Sequence, residues 1–105
     1  MAKKRTEHRI RRDEIEIGPF QLQLMLGETW QEDIQLYTQS FYCDCKAPNR
    51  ELVNYKSYIN DLNDLILYGW CNSCKTIAAN YVEIRERRGI DKIADKIRKL
   101  NRQKD

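Results

Sequence analysis

Leu65-Ile66-Leu67-Tyr68-Gly69-Trp70-Cys71-Asn72-Ser73-Cys74 decides the fold, because an apolar run leads directly into two cysteines separated by two residues. The run predicts a strand from Leu65 to Trp70, ending in a tight turn that presents both thiols. A similar junction stands upstream, where Ser40-Phe41-Tyr42 precedes Cys43-Asp44-Cys45. These four are the chain's only cysteines, with 25 residues between the two pairs. Two cysteines one or two residues apart offer both thiolates from one turn, and a second pair completes the four tetrahedral donors that Zn²⁺ takes. Cys43, Cys45, Cys71 and Cys74 are therefore read as the ligands of one structural zinc ion.

Working outward, the segment between the pairs predicts a strand over Leu52 to Tyr58 and a turn through Asn60, Asp61, Asn63 and Asp64, since clustered Asx residues favour turns. Leu52, Tyr55, Ile59, Leu62 and Ile66 also fit helical spacing, so a helix is the alternative there. Upstream, after Gly18-Pro19, Phe20, Leu22, Leu24 and Leu26 alternate with Gln21, Gln23 and Met25, the period of a half-buried strand. Gly27 to Asp33 reads as a turn region, and Ile34 to Tyr42 as a second alternating strand running into Cys43. Downstream, Thr76 to Ile84 ends in the β-formers Tyr81, Val82 and Ile84. Arg85 to Gly89 is a charged turn. Ile90, Ile93, Ala94, Ile97 and Leu100 then recur at helical spacing and predict an amphipathic helix over 90–103. The expectation is an α+β domain: a small antiparallel sheet of four or five strands with a C-terminal helix. Residues 1–12, dominated by charge, read as a basic flexible arm, and 13–105 as a single zinc-binding domain.

Paired cysteine turns at strand ends resemble the zinc ribbon, a fold group in which two cysteine knuckles at hairpin tips clamp one zinc. The resemblance covers about Ile34 to Ile84. It departs from the common pattern at Cys43-Asp44-Cys45, where one residue and not two separates the cysteines. It departs again at Lys46 and Lys75, which stand where a glycine often follows the second cysteine and accommodates positive φ. A treble-clef-like arrangement, with Cys71 and Cys74 opening a helix through Thr76 to Arg87, is the competing layout.

At 105 residues the chain fits one domain that buries about 60–65% of its unfolded surface, a size at which a metal staple helps. No segment reaches the roughly 18 apolar residues of a membrane span. The opening residues carry positive charge with no apolar stretch behind them, so no export signal is read and a cytoplasmic location is expected. Thiols there stay reduced, which favours metal ligation over two disulfides or a metal-free redox pair. A catalytic zinc keeps one coordination position open, whereas four thiolates close the sphere. His8, the only histidine, lies in the arm and leaves the body without the usual general base. Asp61 with Asp64 and Glu32 with Asp33 read as turn and surface groups, and the four glycines are scattered with no phosphate loop. No enzyme is expected.

The net charge of +3 conceals a division. Residues 1–12 carry Lys3, Lys4, Arg5, Arg9, Arg11 and Arg12 against Glu7, a net +5, and residues 85–105 carry nine basic against four acidic residues, again +5, leaving −7 for the body between. Basic clusters release counterions from phosphates and bind DNA or RNA without regard to sequence. Such binding is assigned to the arm and to Arg85, Arg87, Arg88, Lys92, Lys96, Arg98, Lys99 and Arg102, which makes a nucleic-acid-binding accessory or regulatory protein the first reading. Trp30, Tyr37, Tyr42, Tyr55, Tyr58, Tyr68, Trp70 and Tyr81 on an acidic body favour the second: a protein-interaction adaptor meeting a protein partner or a second copy of itself. No membrane partner is expected.

Overall fold

The computed structural model describes residues 8–45, 47–84, 87 and 89–102. Strands β1 (Ile15–Ile17), β2 (Leu52–Ile59), β3 (Leu65–Cys71) and β4 (Ile77–Val82) form one antiparallel sheet in the order β1-β2-β3-β4. Helices α1 (Pro19–Leu26) and α2 (Trp30–Gln39), joined by a 3₁₀ turn at Gly27–Thr29, connect β1 to β2, and α3 (Ile90–Arg102) follows β4. The fold is α+β with a C-terminal helix, as expected.

The β2–β3 hairpin is the centre of the sheet. The Asn60 side-chain oxygen accepts the Leu62 and Asp64 backbone N–H groups at 2.9 and 3.0 Å, and Asn63 takes a φ of 65°. This is the Asx-built turn predicted for that segment. Pairing then runs from Ile59 opposite Leu65 to Leu52 opposite Cys71, interrupted by a register shift between Val53 and Lys56 where Asn54 has a φ of 53°. Strand alternation sends Leu65, Leu67, Gly69 and Cys71 to one face and Ile66, Tyr68 and Trp70 to the other. At Gly69 an added Cβ would stand 2.8 Å from the Val53 carbonyl, so β2 approaches too closely for any side chain there.

The helices cover the first face. Leu22, Met25 and Leu26 of α1 and Ile90, Ala94 and Ile97 of α3 join Ile17, Leu65 and Leu67 in the core, with Ile34 and Tyr37 of α2 packed against it. On the opposite face lies His8, whose ring meets Tyr68 and Trp70. Residues 1–7 of the arm lie outside the described residues.

Two expected strands are helices. Over Phe20 to Leu26 the burial falls on Leu22, Met25 and Leu26, a spacing of i, i+3 and i+4, and leaves Phe20 and Leu24 exposed. Pro19 sits in the first turn, and the Gln21 side-chain oxygen accepts the Gly18 N–H at 2.9 Å, half of a capping box. Leu, Gln and Met, all unbranched at Cβ, lose little freedom in a helix. From Trp30 onward Glu32 and Asp33 occupy the first turn, where the helix dipole favours negative charge, and Ile34, Tyr37, Thr38 and Phe41 share the inner side. The helical alternatives over 52–66 and 76–87 do not form, since β2, β3 and β4 occupy those segments.

Candidate metal centre

The chain brings the four cysteines together from two loops. Cys71 closes β3 and is fully buried, and the turn into β4 is fixed by the Cys71 N–H to the Thr76 carbonyl (2.9 Å) and the Lys75 N–H to the Cys71 carbonyl (3.0 Å). Lys75 takes a φ of 64°, the left-handed conformation that a glycine supplies at low cost, and its ammonium donates to the Asn72 carbonyl at 2.6 Å. Cys43 and Cys45 lie in the loop after α2 and not at a strand end, so the knuckles differ: one belongs to a hairpin, the other to a loop leaving a helix. That loop is pinned by buried Phe41 and by Arg50, whose guanidinium lies 5.6 Å from the Phe41 ring and donates to the Cys43 carbonyl at 2.6 Å. Asn72 ties the loops directly, its side-chain oxygen accepting the Glu51 N–H (2.8 Å) and its own N–H donating to the Glu51 carbonyl (2.9 Å).

Cys43 Sγ stands 3.5 Å from Cys45 Sγ and 3.4 Å from Cys74 Sγ, Cys45 Sγ stands 3.7 Å from Cys71 Sγ, and all four sulfurs lie within 4.8 Å of one another. These are not disulfide separations, which are about 2.05 Å. A tetrahedron with metal–sulfur bonds of about 2.3 Å has edges of about 3.8 Å, and the tetrad fits it. The four cysteines are thus placed to hold a metal ion.

The surroundings prepare some of these thiols for ionisation. The Thr76 hydroxyl, 2.8 Å from the sulfur, with the Thr76 backbone N–H, lowers the Cys74 thiol to about 6. Burial pushes Cys71 up, but the N–H groups of Cys74 and Ser73 outweigh it and its thiol is lowered. At Cys43 the N–H of Cys45 lowers the thiol, yet burial and the three neighbouring sulfurs together raise it to about 11. Four thiolates this close repel one another, and a divalent cation removes that conflict. The sequence offered no pattern naming Thr76, Asn72 or Arg50. The polar residues flanking Cys74 were the only hint.

Among the described residues the basic side chains do not gather on one surface. Lys3, Lys4, Arg5, Arg85 and Arg88 lie outside the described residues, as does the side chain of Arg102 and the knuckle residue Lys46. The Arg87 guanidinium donates to Asp33 (3.0 Å), the Tyr37 hydroxyl (2.7 Å) and the Leu26 carbonyl (3.3 Å). Arg98 donates to the Asn60 carbonyl and pairs with Asp95. Lys92, Lys96 and Lys99 remain, exposed at i, i+4 and i+7 on the side of α3 away from the core, while Arg9, Arg11 and Arg12 are exposed beside the opposite face of the sheet. Among the described residues no helix is long and apolar enough to cross a membrane. No protein-family model, curated protein or solved structure matches the chain.

Proposed function

We propose that this chain is a small non-catalytic module with one structural Zn²⁺ on Cys43, Cys45, Cys71 and Cys74, serving as a nucleic-acid-binding accessory or regulatory protein. The sulfur tetrad carries the zinc part of the reading: an all-sulfur tetrahedral set suits Zn²⁺ and closes its sphere against substrate. Bound there, the ion supplies a crosslink between the loop after α2 and the β3–β4 turn, as in a ribbon with one hairpin knuckle and one loop knuckle. The Lys92, Lys96 and Lys99 stripe and the cations of the N-terminal segment support the nucleic-acid part, through phosphate neutralisation.

Elemental analysis of purified protein is expected to give one zinc per chain, with Cys74→Ser losing the metal and part of the tertiary structure. A stably folded protein without zinc or any other metal would overturn the assignment. For the nucleic-acid part, retention on immobilised DNA or RNA is expected at low salt and should fall steeply as salt rises. No retention at low salt removes that part and leaves the second reading, protein interaction. It is favoured by Phe20, Leu24 and Leu36, which are 72%, 53% and 58% exposed on α1 and α2. Self-association, one form of it, would appear as a dimer in sedimentation at micromolar concentration.

A further inference from the structure

The face of the sheet turned away from the helices carries an aromatic cluster on adjacent strands. Tyr58 and Tyr68 meet edge to face with centroids 5.2 Å apart, Trp70 follows two residues along β3, and Lys56 stands opposite Tyr68 in register. These side chains, with Ile10 and Asn54, line an open groove of about 350 Å³, at the lower end of the roughly 300–1,000 Å³ of small-molecule sites. The three rings are half-buried. One planar nitrogen heterocycle already rests there: the His8 ring lies 5.2 Å from Tyr68 and 5.0 Å from Trp70, centroid to centroid, with Nε2 2.8 Å from the Gly69 carbonyl. The platform therefore packs a flat ring, with the Gly69 carbonyl held by His8.

Cations border it. Arg9 lines an adjoining cavity with Tyr68, Arg11 is close enough for its charge to act on the Tyr68 hydroxyl, and Lys56 forms one wall of the groove. The nearest acids stand toward β1: Glu14 accepts from the Tyr68 hydroxyl (2.7 Å) and the Arg11 N–H (2.8 Å), and Glu16 lies 4.0 Å from Lys56. Aromatic rings lining an open groove beside positive charge are the pairing by which single strands are held without sequence preference.

We propose that this sheet face binds single-stranded nucleic acid, with a base packed against Tyr68 and Trp70 beside His8 and the phosphates drawn to Arg9 and Lys56. A duplex keeps its base faces stacked on one another and does not engage the platform. The inference rests on the nucleic-acid reading above, and places the base contact on the sheet.

The test uses the full-length zinc-loaded protein and a fluorescein-labelled oligothymidylate, with the matching oligouridylate and a duplex beside it, read by anisotropy at low salt. Trp70→Leu is expected to weaken single-strand binding about tenfold and Trp70→Phe distinctly less, as for loss of one base stack. A second readout guards against a misfolded variant: in Trp30→Phe protein the one remaining tryptophan is Trp70. Its fluorescence should be quenched by oligothymidylate and not by inorganic polyphosphate. If binding is unchanged in Trp70→Leu, or occurs without quenching, the platform is wrong while the broader reading stands. If the wild-type protein binds no oligonucleotide, both fall.

Discussion

Lys75 holds a left-handed backbone, with a φ of 64°, directly after the last metal-site cysteine. For a residue with a Cβ that conformation costs about 1–2 kcal/mol, partly offset here by the ammonium's bond to the Asn72 carbonyl. Glycine removes the strain but gives up more chain entropy on folding, about 0.5–1 kcal/mol. Lys75→Gly is therefore expected to stabilise the protein by roughly 0.5 kcal/mol in denaturant unfolding, with zinc content unchanged. A loss exceeding about 1 kcal/mol would mean that the Asn72 contact outweighs the strain. At this scale much of the site was legible in the sequence. The four cysteines and the anomaly at Lys75 follow from spacing and from the turn chemistry of the knuckle. Thr76, Asn72 and Arg50 were not, because a hydroxyl aimed at a sulfur or an amide bridging two loops depends on pairings between segments that no local pattern records.

Among the elements, the Asx-rich turn, the strands around it and α3 were readable, since each satisfies its own local signals. The segments that became α1 and α2 misled because period-2 alternation in Phe20, Leu22, Leu24 and Leu26 coexists with a helical set, Leu22, Met25 and Leu26, and packing selected the latter. The deciding cues were Gly18-Pro19 with Gln21, a helix start. The resulting layer depends on a tie that also lay beyond pattern reading: Arg87, just ahead of α3, reaches Asp33 on α2 and Tyr37 one turn further on. Burial raises the Asp33 carboxyl, but the Arg87 and Thr29 hydrogen bonds outweigh it and hold it below its ordinary value of 3.8. A depressed carboxyl contributes stability that is present above the unfolded value and lost as pH falls through the folded one. Arg87→Met is expected to cost about 1–3 kcal/mol at pH 7. That difference from wild type should shrink below about pH 4, as Asp33 protonates in both proteins. Because acid also strips thiolate-bound metal, the wild-type-minus-variant difference is the quantity to follow. A difference independent of pH would place the cost in packing and not in the ion pair.

For the whole molecule, one sheet with helices on a single side puts the α3 lysine stripe and the His8 end of the basic segment on opposite faces, across a body 20 Å through its thinnest dimension. The described parts of the two basic ends are separate surfaces in space. The cysteine tetrad brings together the loop after α2 and the β3–β4 turn, and Cys45 is solvent-exposed while Cys71 is fully buried, so the site opens at the surface. With zinc as the occupant, folding becomes coupled to the free ion by mass action. Each tenfold rise in buffered free zinc above the dissociation constant is expected to add about 1.4 kcal/mol of stability, read as a melting temperature climbing with the logarithm of zinc activity. A melting temperature flat across that range would detach the tetrad from the fold's stability. Such coupling would make the persistence of the folded chain a readout of how much metal its surroundings release.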